Sequence, residues 1–113
     1  FVRASFRAPV LDPLILGVWA GFLDMARRNP AIRDVHEATY LSYRDRLQDL
    51  IEELGRDVDK ARLRRDAIAC NAVIDGLWLE GSALPEAFET GELERIGIET
   101  IGAILGTKLD VEP

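Results

Sequence analysis

Apolar residues in this chain recur every three to four positions in four runs, and proline or glycine separates one run from the next. That spacing predicts helices rather than strands. The first helix opens at Asp12-Pro13, a capping residue followed by proline at the first helical position, where a missing N–H costs nothing. It runs to about Arg28, with Ile15, Trp19, Phe22 and Ala26 on one face. Asn29-Pro30 repeats the signal and starts the longest helix, through Ile32, Val35, Tyr40, Tyr43, Leu47, Leu50, Ile51 and Leu54, before Gly55 stops it. Its outer side carries Arg44, Asp45, Gln48, Asp49 and Glu52 and reads as water-facing.

Asp59 is a cap for a third helix extending to Glu80, with Gly81-Ser82 ending it. From Ala67 to Leu79 this helix is apolar on nearly every side, interrupted only by Asn71, Asp75 and Gly76. Such a helix must be covered all round, and in a domain this small a second chain is a natural cover. Beyond a loop containing Pro85, Thr90 is placed to cap a fourth helix that reaches about Leu105, where Gly106 closes it. Leu93, Ile96, Gly97, Ile101, Ile104 and Leu105 form one side. Gly97 and Gly102 each cost about 1 kcal/mol relative to alanine inside a helix, so close approach by a neighbouring helix is the expected compensation. Thr107 to Pro113 reads as a frayed terminus. The pattern as a whole predicts an all-α fold, an antiparallel bundle of about four main helices in a single domain spanning residues 1–113.

Composition narrows the function. The 113 residues are 48% hydrophobic and 30% charged, the balance of an ordinary globular domain. With a formal charge of -6 and its bases scattered among acids, the chain repels phosphate backbones. Arg62, Arg64 and Arg65 are locally basic, but Asp57, Asp59 and Asp66 flank them, and the group reads as a solvated helix end. Cys70 is the one cysteine, with no disulfide partner and no zinc-ligand spacing around it, and reads as a small buried hydrophobe. The apolar stretch from Pro13 to Leu23 is shorter than the roughly 20 residues that cross a bilayer. No leader pattern opens the chain, which points to a cytoplasmic location, and a first residue of Phe1 rather than Met suggests an upstream segment. Neither a glycine-rich phosphate loop nor a nucleophile motif is present, so neither catalysis nor a cofactor is expected, and His36, the single histidine, has no companions at metal-ligand spacing.

One string is more specific. Ile74-Asp75-Gly76-Leu77-Trp78-Leu79 resembles the IDGLWL helix of TetR-family transcriptional regulators, of the type with a BetI-like C-terminal domain. Around it, Trp19-x-x-Phe22 is similar to the family's aromatic helix, and Asn29-Pro30-Ala31-Ile32 to its D-P-x-L turn, with asparagine where the family usually has aspartate. The resemblance runs from about Phe6 to Leu105 in the family's order of helices. It implies an effector-binding and homodimerisation domain of a repressor whose operator-reading helix-turn-helix is absent from this chain. It further implies dimerisation through the last two helices, for which Ile74, Leu77, Ile98, Ile101, Gly102 and Leu105 are the candidate contacts.

An effector pocket requires apolar walls and a few polar groups to orient the ligand. Trp19 and Phe22 share a face of the first helix; His36, Tyr40 and Tyr43 line up on the second; Asn71, Asp75 and Trp78 line up on the third. The resemblance suggests a cationic or amphipathic metabolite, which aromatic faces attract, with Asp75, Asp24 or Glu37 as counter-charge. Each aromatic also fits a plain core role. Gly76 suits close helix packing, and Asp75 suits a ligand contact, a dimer contact or a local network equally well. The same amphipathic helices would equally serve an interaction scaffold with no small ligand.

Overall fold

The computed structural model describes residues 13–109, and within them the chain is all-α. Four helices follow one another: α1 (Pro13–Arg28), α2 (Pro30–Glu52), α3 (Lys60–Ala83) and α4 (Glu92–Leu105), with a short 3-10 turn at Pro85–Ala87. The Asp12 cap, the Ile15 side chain and the tail from Asp110 onward lie outside what is described. No helix among the described residues is long and apolar enough to cross a membrane.

Local chemistry accounts for most of the helix ends. Asn29 caps α2 in an extended conformation, and its Oδ1 accepts from the Ala31 N–H at 3.0 Å, with Pro30 at the first helical position. Asp59 caps α3 in the same manner, accepting at Oδ1 from the Arg62 N–H at 2.8 Å. At the end of α4, Gly106 takes a left-handed conformation (φ 67°). Its N–H donates to the Ala103 carbonyl while the Thr107 N–H donates to Gly102, the paired bonds of a Schellman stop.

Four local expectations are corrected. The regular part of α2 ends at Glu52, because the Leu54 and Gly55 N–H groups bond three residues back and tighten the last turn. Helix α3 continues through Gly81 and Ser82, both buried, to Ala83. What ends it is Pro85, which disfavours helical backbone at Leu84 (φ −133°, ψ 63°). Thr90 does not cap α4; Gly91 does, in a left-handed conformation, and the Glu92 carboxylate reaches back to accept from the Glu89 N–H at 3.1 Å. Finally, Thr107 to Leu109 is no frayed end. It folds back over Gly102, where a side-chain carbon would sit 2.8 Å from the Thr107 carbonyl oxygen. The close approach at Gly102 therefore comes from the chain's own turn and not from a neighbouring helix.

The chain forms two compact units. One is Gly17–Asn71, in which Ala26, Leu47, Ile51, Leu63, Ala67 and Cys70 are buried. On α2 the buried side follows Leu47 and Ile51, so Val35, Tyr43 and Leu54 are exposed and Arg44 and Gln48 are half-buried, a rotation away from the expected stripe. The other unit is built chiefly from the chain after Asn71, where Ile74, Leu93, Ile98, Ile101 and Leu105 are buried.

An ion cluster pins the first unit. Asp66 is fully buried, and its carboxylate accepts from Arg56 at 2.5 Å and from Arg62 and Arg65 at 3.2 Å each. The arginine group is thus no merely solvated helix end: Arg62 and Arg65, although exposed, bond the buried carboxylate, and Arg56 ties the α2–α3 loop to α3. Burial alone would raise the Asp66 pKa, but hydrogen bonds from Arg56, Arg65 and Arg62 outweigh it and leave the carboxyl below its usual range. A depressed folded pKa means the ionised pair stabilises the fold above about pH 4 and is lost as pH falls through the folded value. Asp66→Asn is expected to cost on the order of 3 kcal/mol at neutral pH, because it leaves buried guanidinium charge uncompensated. Denaturant melts taken between pH 7 and 3 should show a shallower acid loss for the variant than for the parent chain.

Candidate functional site

Three of the expected ligand residues meet in the Gly17–Asn71 unit. Trp19 and Phe22, one turn apart on α1, stack at 5.7 Å between ring centroids. His36 on α2 packs against both, 5.4 Å from Trp19 and 5.8 Å from Phe22 and edge-on to the latter. Trp19 keeps 37% of its surface, while Phe22 and His36 are half-buried. The cluster is therefore an aromatic face that one side opens to solvent, and its rings attract cations or flat apolar groups.

Tyr40 stands one turn beyond His36 on α2, and its ring already carries the Arg44 guanidinium 5.4 Å from the centroid. That cation–π contact occupies one tyrosine face. Tyr43 points to the exposed side of α2, where it borders a broad open depression with Ala38, Thr39, Ser42 and Arg46. Among the proposed counter-charges, Asp24 is engaged by Arg27 at 2.9 Å and Arg28 at 3.1 Å, and Glu37 is exposed.

Asn71, the last residue of this unit, is buried, and its Oδ1 accepts no hydrogen bond among the described residues. A buried carbonyl left so costs about 1–3 kcal/mol, which makes Asn71 a candidate acceptor for a ligand donor group. Asp75 and Trp78 belong to the other unit. Asp75 is exposed, and partial desolvation raises its carboxyl pKa.

The residues expected at a dimer interface are mostly covered by their own chain. Ile74, Ile98, Ile101, Gly102 and Leu105 are buried and Leu77 is half-buried. What remains uncovered on α3 is a different stripe, Ala72, Gly76, Leu79 and Ala83, with Leu79 52% exposed and open space around Gly76. On α4, Ile96 and Ala103 are exposed. On α3 the stripe follows helical spacing, and its Ala72, Gly76 and Leu79 lie in the apolar run from Ala67 to Leu79; which side of that run faces inward is what the sequence left open.

Cys70 is fully buried, and burial, with some help from the Asp66 charge, pushes its thiol up to about 11. A protonated, enclosed thiol is a packing group. Native chain mixed with a thiol reagent at pH 8 should stay unlabelled for as long as it stays folded, and label promptly in denaturant. Rapid labelling of the native chain would contradict the burial. Among the described residues, no three His, Cys, Asp or Glu side chains gather as a metal site would require.

The geometry is that of an all-α domain with an aromatic face and an uncovered apolar helix stripe. A family profile described as the C-terminal domain of BetI-type transcriptional repressors matches residues 1–106. The chain belongs to that family. Curated relatives of this BetI-type domain are HTH-type transcriptional regulators named BetI. One from Paraburkholderia phytofirmans is 27% identical over 107 residues, covering 95% of this chain and 53% of the relative. One from Paraburkholderia phymatum is 27% identical, covering 92% and 52%, and one from Burkholderia mallei is 24% identical, covering 96% and 54%. The BetI-type chain thus spans about half the length of the curated relatives it matches. These relatives are named as transcriptional regulators. No solved structure matches the chain.

Proposed function

We propose that this BetI-type chain is the effector-binding and homodimerisation domain of a transcriptional repressor, and that operator DNA is read by another part of the parent protein. The observation that carries the reading is the uncovered stripe of α3, Ala72, Gly76, Leu79 and Ala83, in a helix whose opposite side is already buried. Apolar surface left in water along the C-terminal half of such a helix favours a partner, and small residues let a second helix come close. A second copy is the occupant proposed here. Ile96 and Ala103 on α4 extend the same interface, while Ile74, Leu77, Ile98, Ile101, Gly102 and Leu105 support it from beneath.

The effector face is assigned to Trp19, Phe22 and His36, with Tyr40 and Tyr43 further along α2 and Asn71 as a hydrogen-bond acceptor; Asp75 and Trp78 stay secondary candidates. A cationic or amphipathic metabolite suits aromatic rings, each contributing about 0.5–2 kcal/mol to a cation. The ligand then acts by population shift: it must bind one arrangement of the protein more tightly than another, and only that difference reaches the DNA-reading half.

Two measurements test the reading. In sedimentation velocity at micromolar concentration the chain is expected to run as a dimer, and Leu79→Glu as a folded monomer; a parent chain that stays monomeric rules the dimer out. For the effector, melting is followed across a library of quaternary amines and amphipathic metabolites. A true ligand at 100 times its Kd adds about 2.7 kcal/mol, and Trp19→Ala should abolish the shift. If no compound moves the melt, the effector assignment fails.

A further inference from the structure

From residue 72 to residue 105 the chain carries seven acids and a single base, Arg95. Asp75 is the only charged residue of α3 between Asp66 and Glu80, and it sits on the exposed side of the helix beside Ala72, Gly76 and Leu79. Among the described residues it makes no hydrogen bond or ion pair. Its carboxyl is pushed up by partial desolvation, as befits a charge on an apolar surface with nothing to pair with. Arg95 on α4 is exposed too, next to the exposed Ile96, and among the described residues it forms no ion pair although Glu92 and Glu99 stand one turn away on either side.

Among the described residues of this unit, Asp75 on the bare stripe of α3 and Arg95 on α4 therefore stand unpaired, each beside exposed apolar surface. Covering an unpaired carboxylate is costly unless a cation arrives with the cover. A second copy brings Arg95 as the only base of this part of the chain. We propose that Asp75 pairs across the dimer with the partner's Arg95, twice by two-fold symmetry, and that this pair sets which way the two copies dock. The inference rests on the dimer proposed above. Symmetry makes every cross-contact occur twice, so one mispaired charge is felt twice, and like charges placed opposite each other discriminate strongly against a wrong register.

The symmetry also supplies the test. In a homodimer of Asp75→Arg chains two arginines face each other at both sites, and in a homodimer of Arg95→Asp chains two aspartates do. A mixture of the two variants restores both pairs. Each variant alone should dimerise at least about tenfold more weakly than the parent chain, and the mixture should form a heterodimer within about threefold of the parent affinity. Sedimentation and native mass spectrometry read the populations, with circular dichroism and melting as the check on folding. Should a reversed chain not fold, Asp75→Asn, Arg95→Gln and the double variant give the same comparison without reversal, their effects being less than additive if the pair exists.

Three outcomes overturn the inference: single variants that dimerise like the parent, a mixture that fails to recover, or recovery when Glu80→Arg replaces Asp75→Arg in the mixture. A parent chain that is monomeric at every concentration fails the dimer reading itself. That result is seen before any variant is made, so the two failures are told apart.

Discussion

The structure turns on how α3 is covered. For thirteen residues, Ala67 to Leu79, this helix has one charge and little else that water would hold, and an element of that kind cannot rest in solvent on all sides. Its own chain buries the side that carries Ala67, Cys70, Asn71, Ile74 and Ser82. The opposite side, through Ala72, Gly76, Leu79 and Ala83, is left bare. Half of the demand is met within the chain, and the other half stays open to solvent.

Charge is distributed to match. At the N-terminal end of α3 the buried Asp66 is surrounded by Arg56, Arg62 and Arg65, a group in which the carboxylate satisfies several donors at once and holds the loop after α2 against the helix. Cys70, one turn on, lies in the same enclosed surroundings and stays protonated. Farther along, the chain loses its bases almost entirely, and among the described residues Asp75 and Arg95 stand unpaired. The contrast is physical: a charge buried by its own chain must be paired there, whereas a charge at an open apolar face can wait for a partner to arrive.

The aromatic face works by a separate logic. Trp19 and Phe22 share one side of α1 because they lie three residues apart, and His36 joins them from α2, so that three rings hold one another in place while Trp19 remains partly in water. Rings packed on one another in this way have little side-chain freedom left to lose. Arg44 over Tyr40 shows the same affinity satisfied internally.

Sequence alone determined the helices and much of their punctuation. Asn29 and Asp59 cap, Pro30 starts and Gly106 stops because these effects reach only a turn along the chain, and Trp19 with Phe22 could be placed on one face for the same reason. It also carried the family resemblance, in Ile74 to Leu79. The tertiary structure decided what spacing cannot: that α3 runs on through Ser82 once packing covers it, that Asp66 is interior rather than solvated, that Thr107 to Leu109 fills the space over Gly102, and that Ile98, Ile101 and Leu105 face inward while Leu79 faces out. Helical periodicity names the faces of an amphipathic element. When a helix is apolar all round, only the neighbours it meets in space determine which face is buried, and those neighbours are distant along the chain.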